Sequence, residues 1–322
     1  MRSTTRSGYG PRPMPMWTPE VVVDEELARS LAGDRLPELR AAPMRLLGEG
    51  WDSTVWLLGE EWVLRFPRRE VVVPGFLREL AVLPRLAPQL PLPVPVAAFQ
   101  ARGDDRFGWP WAAFRLLPGR EPADAAPGDD ARVRHGRALG RFLRALHDID
   151  PAAVTVDGAP LPVDPVRRAD MPFRVEGTRK QLARLDAAGL WRAPAGLADV
   201  LVRAEGLSPP EALTICHGDL HLRHLLVGDD GALAGVIDWI DVCRADPAID
   251  LPLDWGYLPP AGRAAFHAEY GPVAADGLLR ARVLAVFLWA VLAEYAHAMG
   301  MPALAREALA GLDRTVADLP AV

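Results

Sequence analysis

Apolar and polar positions follow different rhythms in the two parts of the chain. Residues 43–66, "PMRLLGEGWDSTVWLLGEEWVLRF", carry β-branched and aromatic residues in short runs split by glycine turns. This pattern predicts strand, turn, strand, tight turn, strand. Residues 74–87, "PGFLRELAVLPRLA", place apolar side chains at helical spacing, with Pro84 expected to kink the helix or end it early. The repeated X-Pro pairs of 90–99 demand an extended chain, and 109–119 reads as a strand ending in a Pro-Gly turn. The rhythm then becomes helical. "PADAAPGDD" supplies capping aspartates for a helix over 131–149, and further helices are predicted over 165–187 and 196–205. Short strands follow at "ALTIC", "HLLVG" and "LAGVIDW", and the chain from about 248 reads as helical. No internal repeat is visible. The expected fold is α+β in two lobes. A loose tail over 1–20 precedes a small β-rich lobe over 21–118 and a larger, mainly helical lobe over 119–322.

Composition narrows the classes. Half of the 322 residues are hydrophobic and 24 % are charged, a balance suited to a soluble globular protein. The longest apolar run, 283–293, is too short for a bilayer and reads as a core helix, so no membrane partner is expected. The N-terminal segment lacks the apolar core of a secretory signal, and two cysteines make no disulfide framework. A cytoplasmic setting is expected. The net charge of −6 argues against nucleic acid as a partner. It is uneven: residues 1–119 hold 15 basic and 14 acidic residues, and 120–322 hold 21 and 28. An anionic ligand suits the former part and a cationic one the latter. Lys180 is the single lysine.

The chemistry concentrates in "CHGDLHLRHLL", 216–226. One reading is a zinc cage of Cys216, His217, Asp219, His221 and His224, as in a zinc-dependent hydrolase. Histidines four and three apart share a helical face, but Gly218 and the strand-like end of the stretch break a helix, and neither H-E-x-x-H nor C-x-x-C is present. The other reading starts from "GDDGA", which joins two strands as a hairpin. It places Asp219, His224 and Asp238 at one end of a short sheet, where they could hold a divalent ion and a base. Phosphoryl transfer needs that set: a cation on the phosphate oxygens and a carboxylate that orients the acceptor hydroxyl.

The spacing of His217, Asp219 and position 224 equals that of the kinase loop H-R-D-x-x-x-x-N, and "IDW" stands where D-F-G would. Together with "DPAIDL" at 246–251, these motifs resemble the aminoglycoside phosphotransferase family of antibiotic kinases over roughly residues 40 to 300. The resemblance implies a bilobal protein-kinase-like fold. It implies Asp219 as the catalytic carboxylate, Asp238 as a Mg²⁺ ligand, His217 as a loop anchor and Asp250 as the brace of that loop. Gly48, Gly50 and Ser53 would cover the phosphates, and Arg65 with Glu79 would take the place of the usual lysine–glutamate pair. Arg68 and Arg69, rivals of Arg65, read as surface charges. Arg115, Leu116 and Leu117 would form the link that reads the purine, leaving GTP and ATP equally open as donor. His224 stands where the family pattern has Asn; the resemblance leaves open whether it ligates the metal or only hydrogen-bonds to Asp219 or Asp238. With arginine in "WVLRFPRR", that histidine resembles the macrolide 2′-phosphotransferase branch, which phosphorylates a desosamine hydroxyl. His221, Asp241, Trp255 and Tyr257 are the candidate acceptor contacts. A monomer acting on a macrolide is expected, with an aminoglycoside, an amino alcohol or a sugar as alternative acceptors and a non-catalytic nucleotide-binding module as a distant one.

Overall fold

The computed structural model describes residues 18–210 and 212–320. Most of the expected tail, residues 1–17, lies outside the described residues. The chain divides into two compact units.

The smaller unit takes in residues up to Pro74 and the segment Ala97–Leu116. It opens with helix α1 (Glu25–Gly33), for which the sequence reading gave no element although Asp24 caps it by accepting the Leu27 N–H at 2.9 Å. Five strands follow: β1 (Met44–Glu49), β2 (Ser53–Leu58), β3 (Trp62–Pro67), β4 (Ala97–Ala101) and β5 (Trp111–Arg115). They form one antiparallel sheet in the order β1-β2-β3-β5-β4. The three N-terminal strands are those predicted from the β-branched and aromatic runs between glycine turns. Phe66 stacks on Trp111 at 5.2 Å and meets Phe107 edge-on at 5.6 Å, and the Trp56 indole donates to the Val23 carbonyl, tying the segment before α1 to the sheet.

The larger unit contains residues 75–96 as well as 117–320, so the chain enters it twice. Helix α2 (Val73–Leu86), all but its first two residues, therefore belongs here, unlike the continuous 21–118 lobe expected from sequence. It passes through Pro84, which leaves one backbone bond unmade, and gives way to a 3-10 turn two residues later. Gly75 permits the contact that seats it: a Cβ there would stand 2.8 Å from the Ile240 carbonyl oxygen. Next come α3 (Pro122–Ala125), α4 (Asp129–His147), the two-residue strands β6 (Thr155–Val156) and β7 (Ala159–Pro160), α5 (Met171–Ala187) and α6 (Gly196–Glu205). Helix α5 begins six residues later than predicted. Asp170 caps it, and Pro172 in the first turn fits a helix start, not its interior.

Two short hairpin-like pairs carry the functional loops: β8 (Thr214–Cys216) with β11 (Cys243–Ala245), and β9 (Leu225–Val227) with β10 (Leu233–Val236). The chain ends in α7 (Pro252–Gly256), α8 (Pro260–Tyr270), α9 (Ala275–Ala298) and α10 (Pro302–Val316). Helices α4 and α8 cross with backbones nearly touching: a Cβ on Gly136 would lie 2.3 Å from the Gly262 oxygen. The predicted apolar run lies within α9 and is core, with Trp289 clamped between Gly256 and Gly311. Among the described residues no helix is long and apolar enough to cross a membrane. The observed α+β architecture is kinase-like: a five-stranded antiparallel unit and a mainly helical one.

Candidate active site

Strand β8 delivers the loop "HGDLHLRH" and β11 closes it from the far side. Gly218 makes their contact possible. Its φ is +90°, and a Cβ would stand 2.2 Å from the Asp241 carbonyl oxygen, so only glycine fits. Asp250, fully buried, accepts the His217 N–H at 2.7 Å and the Gly218 N–H at 2.9 Å, and its Oδ2 lies 3.3 Å from His147 Nε2. The loop backbone is thereby held from behind. His217 serves the same frame. Its Nδ1 accepts the Asp219 N–H and its Nε2 donates to the Ile237 carbonyl, while burial lowers the imidazole pKa and keeps the ring neutral.

Asp219 is braced but partly open, with about a third of its side chain exposed (31 %). Burial alone would raise its pKa; the Arg168 guanidinium, 2.8 Å from Oδ1, together with His221, His224 and His217 outweighs that and holds the carboxyl well below its ordinary value. Arg168 is the residue the sequence did not reveal. Its Nη2 donates also to Asp241 Oδ2 at 2.6 Å, joining two carboxylates from 51 and 73 residues away. It belongs to no motif and lies in what reads as helix. A single arginine in an arginine-rich chain carries no signal in sequence alone.

His224 Nδ1 donates to the Asp219 carbonyl at 2.8 Å, so in the neutral ring Nε2 carries the lone pair. That lone pair faces Asp238 Oδ2 at 3.3 Å. Two acceptors turned toward each other require a proton or a metal ion between them. Burial opposes the proton, but the hydrogen bond and charge of Asp238, together with Asp219, outweigh it and raise the His224 pKa. Asp238 has φ +66°, a left-handed conformation that aspartate tolerates better than most residues. His221 packs its ring on His224 at 3.7 Å, caps the 222–224 turn through Nδ1, and lies 3.6 Å from Asp219 Oδ2. Burial and the adjacent His224 hold its pKa well down. Asp219, His221 and His224 each offer a ligand atom within 4.8 Å of the others. The residues thus fit a divalent cation, with Asp238 and His224 as one nitrogen–oxygen donor pair.

The wider cage is not formed. Cys216 is buried, burial pushes its thiol up, and its Sγ points at the carbonyls of Ala245 and Asp246. His217 spends both nitrogens on the loop. Of the proposed acceptor residues, Tyr257 is a correction: it is fully buried, and its hydroxyl meets His135 Nδ1 at 2.7 Å. Trp255 is half-buried, its ring met by Arg263 at 3.8 Å and Arg282 at 4.7 Å. Aromatic letters in a helical segment gave no means of telling core from wall. Asp241, in contrast, lies beside Asp219 through Arg168.

In the smaller unit, Gly48 lies near the end of β1 and Gly50 just after it, and a Cβ on Gly48 would meet nothing within 4 Å, so the space above it is open. Gly48 follows a register shift in the pairing of the two strands. Arg65 is buried on β3 and donates from Nε to Ser53 Oγ at 3.2 Å. Arg68 is not a surface charge: it is 8 % exposed and donates to the Gly50 carbonyl at 2.7 Å, and Arg69 pairs with Asp52 of the same turn. The cations therefore set the shape of the glycine loop. Arg115 stacks on Trp62 and pairs with Glu61 at the surface, and the Leu116 N–H is taken by the Glu61 carbonyl. In the larger unit, Glu79 is fully buried on α2, and Leu117 packs beside Gly235.

Residues 43–295 match the family model described as phosphotransferase enzyme family, APH. The chain belongs to this family. A curated relative, uncharacterized protein YcbJ of Bacillus subtilis (strain 168), is 29 % identical over 213 residues, 61 % of this chain; the chain spans 62 % of that relative's length. Solved structures of this APH fold include the GDP and kanamycin complex of APH(2")-IIia, with a TM-score of 0.67, 20 % identity and coverage of 90 % of this chain and 98 % of that one. Macrolide 2'-phosphotransferase MphH from Brachybacterium faecium, an apoenzyme, gives 0.56, 26 % identity and coverage of 87 % and 98 %.

Proposed function

We propose that this APH-family protein moves the γ-phosphate of GTP or ATP to a hydroxyl of a small molecule, with the 2′-hydroxyl of a macrolide desosamine as the first candidate. The observation that carries the reading is the pair His224–Asp238 set beside an ionised Asp219 on one braced loop. Asp219 receives the acceptor's hydroxyl proton and aims its oxygen. The new O–P bond forms as the bond from phosphorus to the bridging β–γ oxygen breaks, and the nucleoside diphosphate leaves with that electron pair. His224 and Asp238 would hold Mg²⁺, which would supply charge neutralisation on the phosphates. Gly48, Gly50, Ser53 and Arg65 of the smaller unit are assigned to the nucleotide, together with Glu79 and the 115–117 segment, and His221 and Asp241 to the acceptor side. The histidine at 224 and the likeness to a protein named as a macrolide 2'-phosphotransferase support the macrolide over an aminoglycoside or a metabolite acceptor.

The test is an acceptor panel of macrolides, aminoglycosides, sugars and amino alcohols, each with ATP and with GTP in the presence of Mg²⁺. Phosphorylated product is read by mass spectrometry. Transfer to a macrolide, lost in Asp219→Ala with nucleotide binding retained, is the expected result. Transfer to another class moves the acceptor assignment, and transfer to none removes the reading. A second reading rests on the ligand atoms of Asp219, His221 and His224 within 4.8 Å: a zinc centre. Stoichiometric zinc in the purified protein, with no thermal shift on adding nucleotide, would favour it.

A further inference from the structure

Arg168 does more than neutralise Asp219. Its Nη2 serves both carboxylates, yet its Nη1 is buried and meets no hydrogen-bond partner among the described residues. A buried charged donor left in that state is destabilising unless a ligand meets it. Arg132 in the same unit shows the contrast: both of its terminal nitrogens are engaged by Glu307 and the Tyr257 carbonyl.

The segment around Arg168 is built to hold it. Asp164 and Arg167 both adopt left-handed backbone, at φ +31° and +57°, in a loop where neither is glycine. Such strain persists only where surroundings impose it and gathers at functional sites. Asp164 accepts the N–H groups of Arg168 and Ala169, at 2.8 and 2.7 Å. Arg280 of α9 donates to the Ala169 carbonyl. Backbone bonds to Arg244 tie Pro162 and Asp164 to β11. Val163, Val166 and Phe173 of this same stretch stand exposed.

We propose that Arg168 is an acceptor-binding residue: Nη2 fixes Asp219 and Asp241 while Nη1 donates to an oxygen on the carbon next to the reacting hydroxyl. This rests on the phosphotransferase reading and adds a specificity element to it. The acceptor is then held at two points, through its hydroxyl by Asp219 and through its neighbouring oxygen by Arg168. The exposed Val163, Val166 and Phe173 supply the contact for its apolar remainder. Alcohols lacking a neighbouring oxygen lose one of the two points.

The experiment compares wild type, Arg168→Met and Arg168→Lys on the acceptor found by the panel and on its deoxy analogue lacking the neighbouring oxygen. For the full acceptor, Arg168→Met raises KM at least about tenfold, equivalent to roughly 1.4 kcal/mol, with nucleotide Kd unchanged, and Arg168→Lys recovers part of the loss. For the deoxy analogue, Arg168→Met raises KM several-fold less, because the hold on Asp219 is the only part of the loss that the two acceptors share. An equal penalty on both acceptors, or none on either, overturns the proposal while leaving the phosphotransferase reading in place. If the methionine variant fails to fold, Arg168→Lys against the two acceptors decides in the same way. A wild-type protein that binds no nucleotide and phosphorylates nothing overturns the reading and the proposal together.

Discussion

Asp250 and Gly218 are joined across 32 residues by a 2.9 Å hydrogen bond from a backbone N–H to a buried carboxylate, and the other carboxylate oxygen takes the neighbouring N–H of His217. Two adjacent donors therefore depend on one side chain. An amide cannot serve both, because one of its two heads is itself a donor. Asp250→Asn is expected to lower stability by about 1–3 kcal/mol and to reduce phosphate transfer further, through a loosened Asp219. Urea unfolding and the turnover number measure the two losses; a variant as stable and active as wild type contradicts the bracing role.

Gly218 faces a harder limit. Alanine there adds left-handed strain and a methyl 2.2 Å from a backbone oxygen. Gly218→Ala is expected to cost about 3 kcal/mol or more, or to open the loop from Asp241. Its melting temperature beside that of Gly108→Ala, a position with nothing within 4 Å of a Cβ, separates the local clash from a general loss of glycine.

His224 is expected to show in the metal requirement. In His224→Ala the Mg²⁺ concentration for half-maximal activity rises about tenfold to a hundredfold, whereas His224→Asn, which restores an oxygen donor, stays within several-fold of wild type. Titration of Mg²⁺ at saturating nucleotide reads both. Equal metal dependence in all three proteins assigns His224 to hydrogen bonding alone.

Arg68 holds the Gly50 carbonyl, and its removal frees the glycine turn. Arg68→Met is expected to weaken nucleotide binding about tenfold, or about 1.4 kcal/mol, with little change in acceptor KM. Calorimetric titration with GDP and ADP measures it.

His267 supplies a pH dependence away from the chemistry. Its hydrogen bond to buried Asp254, at 3.0 Å, raises the imidazole pKa above its ordinary value despite partial burial. A raised folded-state pKa stabilises the protein fully below the unfolded value near 6.5, and the contribution fades as pH rises through the folded value. The ring is partly exposed, so the effect is below about 1 kcal/mol. The stability difference between wild type and His267→Gln should shrink from pH 5.5 to pH 8.5; a difference that grows with pH contradicts the pairing.

The sequence was most legible where period and motif coincide. The β1–β3 ladder follows from β-branched and aromatic runs split by glycine turns, and the loop from His217 to His224, the strand before Asp238 and "DPAIDL" arrive at ordinary separations. Their geometry then follows from two short hairpin-like pairs. Legibility failed where a residue's role is set by distant partners. Arg168 gains its place from carboxylates 51 and 73 positions away, and Arg68 from a turn 18 positions back. Tyr257 failed for the opposite reason: an aromatic residue suits both a core and a ligand wall, and only packing decides. Helix α1 was missed although Asp24 and two glutamates in its first turn mark a start.

The seat of α2 has a consequence for how the chain is made. Arg78 of that helix donates to the Ile240 carbonyl, 162 positions further on, and Gly75 lies against the same residue. During synthesis α2 emerges long before its partner exists. A nascent chain that stops short of the Asp238 loop leaves the helix bearing Glu79 without its seat, so the larger unit closes late, and truncation at the boundary suggested by sequence would yield a fragment with an apolar helix face uncovered.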